Sequence, residues 1–484
     1  MNLQGDLLIF PRRRGNVQRE KIKHMVFVLS VVVLLLLILS LNDAHAVPSF
    51  ARQTGMPCAE CHTLFPELTP FGRIFKLGGY ALSKSDKPYE FPPPLAGMAQ
   101  ISYTDAKGLR TAVAPFDSTR TDDNINLPQQ LSVFYGGRIY DKTGAFVQGT
   151  YDGVGNKFLL DMTDVRYSNN TILWGKNLIY GLTVNNNPTV QDVWNTTPAF
   201  SFPYATSGVA QTPAASAIID GMLAQQVGGI GAYVFWDNLI YAEGTVYRTA
   251  RRGITRPLSA GSKVDQVVDG AAPYWRLALE RRWKNHFFTV GTYGMQADIF
   301  PAGNLGGPAD RFTDIAFDAQ YQYLGTIEVE HKQMKMNGAP MGKPGKHIIS
   351  AHATWIHEKQ DWKAGFPLGN TANSSDFLNT VRMNLNYYCM SRPGEIGGSI
   401  GYFSTTGKTD RMLYSPGPVS GSRTGSPNSN GFIFEADYLP WEKSKFSLQY
   451  TIYNKFNGAH SNYDGFGRDA SDNNTLYALL WLMF

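Results

Sequence analysis

From about residue 97 to the end, apolar and polar positions alternate in stretches of about ten residues. Between Asp314 and Tyr323 one face reads Ile315, Phe317, Ala319, Tyr321, Tyr323, and the other Asp314, Ala316, Asp318, Gln320, Gln322. Thr326–Lys332 alternates again, as does Gly431–Tyr438, which a short Pro440-Trp441-Glu442-Lys443 connection joins to Phe446–Ile452. A period of two puts alternate side chains on opposite faces of a strand. Ionised groups such as Asp314, Asp318, Glu328 and Glu330 do not belong in a dry sandwich core, whereas a wet lumen accepts them. The pattern therefore predicts a mainly β fold, an outer-membrane barrel of about sixteen strands. Ile315, Phe317, Tyr321, Phe432 and Phe434 are expected to face lipid, and Asp314, Asp318, Glu435 and Asp437 the lumen. Polar stretches near 105–128, 185–218, 250–270 and 405–429 read as long outer loops, with short turns at the opposite end. The last segment, Leu476 to Phe484, is an apolar strand ending on an aromatic, as in outer-membrane barrels.

Composition fits this picture. Charged residues are only 17%, aromatics reach 13% and there are 48 glycines among 484 residues. A soluble β-sandwich shares much of that composition. The net charge of +5 comes with no basic block after the N-terminus, so nucleic acid is not an expected partner. Residues 1–46 read as a signal peptide. Arg12, Arg13, Arg14, Arg19, Lys21 and Lys23 precede an apolar run from Met25 to Leu41, and Ala44-His45-Ala46 gives the cleavage pattern. The mature chain is then expected to start at Val47. Met25 is an alternative initiator, and a retained inner-membrane helix is the competing reading.

Residues 47–95 form a separate unit whose chemistry is concentrated in Cys58-Ala59-Glu60-Cys61-His62. C-x-x-C-H is the attachment signature of c-type haem: two thioethers hold the porphyrin and the histidine ligates the iron. A zinc site would need two further ligands at matched spacing, and the only other cysteine is Cys389. Cys389 shares a strand face with Met383, Leu385 and Tyr387 and reads as an inert apolar-face residue. A thioredoxin-like pair would need a βαβ context. Thr69–Gly79 predicts a short helix, capped by Thr69 with Pro70 in its first turn, that turns Phe71, Ile74 and Phe75 to one side. That face is a natural haem wall. Phe91-Pro92-Pro93-Pro94 reads as a stiff linker to the barrel, residues 96–484. A unit of fifty residues is marginal on its own, so it is expected to lean on the barrel as a plug.

The run Phe50 to His62, with Phe65-Pro66-Glu67-Leu68-Thr69-Pro70-Phe71-Gly72-Arg73 and Phe75 to Tyr80, resembles the fused monohaem cytochrome–porins of iron-oxidising bacteria. The resemblance covers about thirty residues; the barrel matches in kind and length. It implies one covalent haem c on Cys58 and Cys61, with His62 as the proximal metal ligand. It also implies an outer-membrane location and electron flow from extracellular Fe(II) to periplasmic cytochromes, which is electron transfer rather than bond-making catalysis. No motif fixes the distal ligand. Met98 is the nearest plausible sulfur; Lys76, Lys84, Lys87 and His331 are alternatives, as is an open position, while Met56 lies close to the attachment site. The rival reading is a transport porin with a tethered periplasmic haem carrier.

Overall fold

The computed structural model describes residues 49–82, 93–107, 123–249, 266–301, 307–325, 345–391 and 394–484. The signal peptide, Lys84, Lys87, Phe91, Pro92, Glu328, Glu330, His331 and the alternating stretch 326–332 lie outside these residues.

The strands are β1 (Leu95–Asp105), β2 (Asp123–Tyr140), β3 (Thr143–Asp152), β4 (Lys157–Leu173), β5 (Lys176–Asn185) and β6 (Gly228–Trp236). There follow β7 (Ile240–Arg248), β8 (Val267–Val268), β9 (Ala272–Trp283), β10 (His286–Phe300), β11 (Asp310–Tyr323) and β12 (His347–Asp361). The last five are β13 (Ser375–Ser391), β14 (Gly394–Gly407), β15 (Ser429–Leu439), β16 (Ser444–Lys455) and β17 (Thr475–Met483). Short β8 and long β9 both pair with β10, so they are two pieces of one stave. Sixteen antiparallel staves result, each bonded to the next, and β17 returns to β1. Closure leaves no edge strand, the condition a sheet must meet to cross lipid.

The alternation sorts the side chains as the sequence predicts. Ile315, Phe317, Phe432 and Phe434 are exposed on the outer face, while Asp314, Asp318, Glu435 and Asp437 are buried within. Cys389 lies on the outward face of β13 with Met383, Leu385 and Tyr387. Paired outer positions stack: Phe317 opposes Trp355 across β11 and β12 with ring centroids 5.9 Å apart. Trp174, Trp236, Trp283 and Trp441 stand at the short-turn end, where an aromatic girdle meets the bilayer interface. A closed barrel with this apolar outer face places the chain in a Gram-negative outer membrane.

Long connections and short turns occupy opposite ends, with some boundaries moved. β2 begins at Asp123, inside the expected 105–128 loop, because Asp123 to Asn126 pair with Asp105 to Ser102 of β1, and pairing resumes at Gln130 after an irregularity. The β5–β6 connection runs to residue 227, past the expected 218. The connection from 324 to 346 joins β11 to β12 at the short-turn end, so turn length does not separate the ends completely.

The expectation of a wet, charged lumen is corrected. The inward groups of the strands are covered by the β5–β6 connection and by the N-terminal segment. Asp314 accepts the Ile219 N–H at 2.9 Å, and Glu358 accepts the Ile218 N–H. Asp318 takes the Arg276 guanidinium at 2.7 Å and the Thr196 hydroxyl. These acids cap loop backbone and pair with cations, so Asp314 and Asp318 are not free to draw in Fe²⁺.

The seam is closed by the last residue. Phe484 and Gly97 exchange backbone hydrogen bonds at 2.6 and 3.0 Å. The Phe484 ring lies so close to Gly97 that an added Cβ would stand 2.2 Å from Cε2. Gly97→Ala must push the exposed Phe484 ring aside and should destabilise the barrel by ~1 kcal/mol, the low end of overpacking. The temperature at which the folded, fast-migrating gel form disappears should fall. Gly244→Ala, where a Cβ meets nothing within 4 Å, is the tolerated control.

Candidate functional site

The N-terminal segment lies inside the barrel as three short helices: α1 (Ser49–Thr54), α2 (Cys58–Cys61) and α3 (Pro70–Leu77). The third is the helix predicted from Thr69 onward. Thr69 caps it by accepting the Gly72 N–H at 3.1 Å, and Pro70 fills the first position. α2 is a single turn, and positions three apart put Cys58 and Cys61 on one side. Thr69 ties α3 to α2: its N–H donates to the Cys61 carbonyl at 2.9 Å and its hydroxyl to the Glu60 carbonyl at 2.6 Å. The approach requires Gly72, where a Cβ would sit 2.2 Å from the Cys61 oxygen.

Buried polar contacts hold this segment to the inner wall. Arg73, 2% exposed, donates to Glu280 on β9 and to Gln320 and Gln322 on β11, each at 2.7 Å. Glu67 accepts from Ser350 at 3.0 Å and Gln322 at 3.2 Å, with His352 at 3.5 Å. On the other side Tyr80 donates to Asp164 at 2.6 Å, and Tyr233 donates to the Leu77 carbonyl at 2.6 Å. The β5–β6 connection closes over the segment, with Asn195 accepting the Leu68 N–H at 3.0 Å.

Between them is a cavity of about 410 Å³, within the ~300–1,000 Å³ of small-molecule sites. Cys58, Cys61 and His62 all line it. Phe50, Phe65, Phe75, Phe134, Phe146 and Trp481 supply apolar wall, and Phe200, Ser201, Pro203 and Tyr204 of the connection complete it. Only part of the expected helical wall is there. Phe75 lines the cavity, whereas Ile74 turns away to pack with Trp194, Tyr233 and Tyr241.

Burial pushes the Cys58 thiol to about 11, with Glu442 adding to the rise, and the Cys61 thiol to about 12. Neither is the low-pKa thiolate of a redox nucleophile. Burial also lowers the His62 imidazole to about 4, so it is neutral at physiological pH with a lone pair to give. Its Nδ1 is enclosed with no hydrogen-bond partner. An apolar cavity bordered by two thiols at C-x-x-C spacing and a neutral imidazole fits a covalently held iron porphyrin. Cys58 and Cys61 would form the thioethers and His62 would ligate the iron.

Among distal candidates, Met98 is buried and lines the same cavity. Met56, set aside from sequence, lines it too, as do Met162 and Met483. Met483 went unrecognised because it is brought in only by closure: it pairs directly with Met98 across the β1–β17 seam. Lys76, one of the alternatives, also lines the cavity, but its amine is already engaged. Its Nζ donates to the Val190 and Asp192 carbonyls at 2.7 and 2.8 Å and lies 4.3 Å from the Phe200 ring centroid. Burial, then Arg166, lowers this amine to about 7.

No family model matches the chain, and no curated protein matches it. Solved structures similar to it are outer-membrane proteins. The outer membrane channel DcaP of Acinetobacter baumannii is 9% identical, with 81% of this chain and 96% of that one covered and a TM-score of 0.44. Salmonella typhi OmpF in complex with daunomycin is 11% identical over 81% and 97%, TM-score 0.42. The anion-selective porin from Comamonas acidovorans is 11% identical over 81% and 98%, TM-score 0.38. By its own closed stave count the barrel is porin-like.

Removing Arg73 leaves Glu280 buried and short of its cation, which typically costs ~3–5 kcal/mol. Arg73→Ala should therefore loosen the segment without opening the barrel. Hydrogen exchange at residues 58–77 should rise by at least ten-fold, while exchange in β13 and β14 stays unchanged. Equal exchange in α3 would show that the ion pair does not hold it.

Proposed function

We propose that this porin-like barrel carries one haem c on Cys58 and Cys61, ligated by His62, and moves electrons across the outer membrane. The favoured donor is extracellular Fe(II), and the acceptors are periplasmic cytochromes. The observation that carries this reading is the place of the C-x-x-C-H residues: on an apolar cavity inside the lumen, enclosed by barrel wall and loop. A bilayer insulates over ~30 Å of hydrocarbon, so a carrier confined to one side leaves that gap uncrossed. A redox group held within the lumen divides it. Bound there, haem supplies a one-electron centre whose potential is set by its axial ligands and surroundings. The chain's own residues do the rest. His62 offers a neutral nitrogen, the phenylalanine wall excludes water, and Met98 or Met483 is placed to offer a sulfur.

The second reading is a transport porin in which the haem is only a tethered periplasmic carrier. The sixteen-stave barrel favours it, because that size leaves an aqueous channel in porins. The filled interior speaks against an open channel: Gln320, Gln322, Arg276 and Glu358 are each 1% exposed or less.

The purified protein should give a pyridine haemochrome spectrum and retain haem through acid–acetone extraction. Cys58→Ala with Cys61→Ala should abolish both. In proteoliposomes, Fe(II) added only on the long-loop side should reduce the haem, and His62→Ala should remove most of that reduction. Reduction only from the short-turn side, with porin-like conductance in planar bilayers, would establish the transport reading instead. A haem reached from outside but inert to Fe(II) would leave the conduit and change the donor.

A further inference from the structure

The two rims of the barrel differ in charge. At the long-loop rim acids and bases are mixed, with some cations paired to carboxylates and others, such as Arg423 and Arg468, donating to neutral groups. Arg311 meets Asp298 at 2.8 Å, Lys107 meets Asp472 at 2.8 Å and Lys359 meets Asp361 at 3.0 Å. At the short-turn rim Lys176 meets Asp237 at 2.9 Å. Four further basic groups there, Lys142, Arg282, Lys284 and Lys346, are exposed. Lys142 donates to the Asn169 side chain at 2.9 Å, and Arg282 donates to the Lys284 carbonyl at 3.0 Å. Asp141, Glu395 and Glu442 are the remaining acids of the described turns, so positive charge predominates among the described residues of this rim.

This rim is the end at which the cavity comes nearest the surface. Gly55 and Pro57 are exposed, Cys58 is half-buried, and Glu442 and Lys443 of the β15–β16 turn both act on the Cys58 thiol. In an outer-membrane barrel the short turns face the periplasm. A basic rim around the exposed edge of a redox segment steers encounter with negatively charged proteins and fixes their orientation.

We propose that the short-turn rim, through Lys142, Arg282, Lys284 and Lys346, docks an acidic, soluble periplasmic electron-transfer protein over the Cys58 edge. The inference rests on the electron-transfer reading for its purpose, but its docking step can be measured without it. The probe is a matched pair: mitochondrial cytochrome c, which is basic, and the same protein succinylated on its lysines, which is acidic. Binding of each to the full barrel in zwitterionic nanodiscs is measured at low ionic strength and at 1 M salt, where the Debye length falls to ~3 Å.

The succinylated form should bind at least ten-fold more tightly at low salt, and the preference should vanish at 1 M. Lys142→Glu, Arg282→Glu, Lys284→Glu and Lys346→Glu together should reverse it, with the heat-modifiable gel shift confirming a folded barrel. Equal binding of both forms, or tighter binding of the basic form to the unaltered barrel, would overturn the proposal. So would a quadruple variant that keeps the acidic preference and loses only attraction to phosphatidylglycerol vesicles, which would make the rim a lipid anchor. In haem-loaded protein, electron transfer to the two forms should follow the same order. Acidic preference in binding without haem reduction by any external donor would keep the docking surface and sink the conduit.

Discussion

One buried carboxylate joins the three parts of this molecule. Glu280 projects inward from β9 and accepts the Arg73 guanidinium from α3 and, at 2.6 Å, the indole N–H of Trp194 from the β5–β6 connection. Arg73 reaches on to β11 through two glutamine oxygens, and Gln320 returns a bond to the Trp194 carbonyl at 2.8 Å. Wall, plug and loop therefore share a single network in which removing any partner strands a charge or a polar group. Taking both ions out of water costs several kcal/mol each, and the pair is retained because its hydrogen bonds answer that cost. Its fork geometry also fixes where α3 sits, and through Thr69 and Gly72 the place of α2 with its two cysteines.

The same logic repeats around the lumen. Arg166 pairs with Asp164 at 2.8 Å, and Tyr80 donates to that same carboxylate from the plug. Arg276 pairs with Asp318 and faces Asp192 of the loop at 3.4 Å. Burial alone would raise the Asp192 carboxyl, yet Arg276 and the N–H groups of Trp194 and Thr197 bring it below the usual range. The inward arginines Arg166, Arg276 and Arg382 thus each meet a group of the β5–β6 connection. An open porin solves the inward-facing half of its strands with water. Here segments of the same polypeptide solve it, which makes the interior dry enough to hold an apolar cavity.

How much of this could be read in the sequence follows from the range of each interaction. Alternation is local, so the faces of Ile315, Phe317, Asp314 and Asp318 were legible, and so was the Thr69-Pro70 helix start. The C-x-x-C-H spacing is local too, and Cys58, Cys61 and His62 do share one cavity. What hid was non-local. Nothing at Asp314 announces that its partner is the N–H of Ile219, ninety-five residues earlier, so the lumen looked wet. Nothing at Met483 announces Met98. Nothing at Lys76 announces the carbonyls of Val190 and Asp192, brought to it by a connection that reads as plain loop. Strand pattern names the faces, and only closure of the barrel names who meets across them.

The enclosure that follows from these contacts bears on what a bound haem could do. An iron centre in an apolar pocket feels little water screening, so the state with more net charge is disfavoured by burial. Were a haem held there, the phenylalanine and methionine wall and a positive Lys76 would favour the ferrous state, and the carboxyl groups of Asp161, Asp192 and Glu442 on the same cavity would oppose them. The pocket itself follows from a need already present in the bare barrel: to cover the polar inner faces of sixteen staves without water.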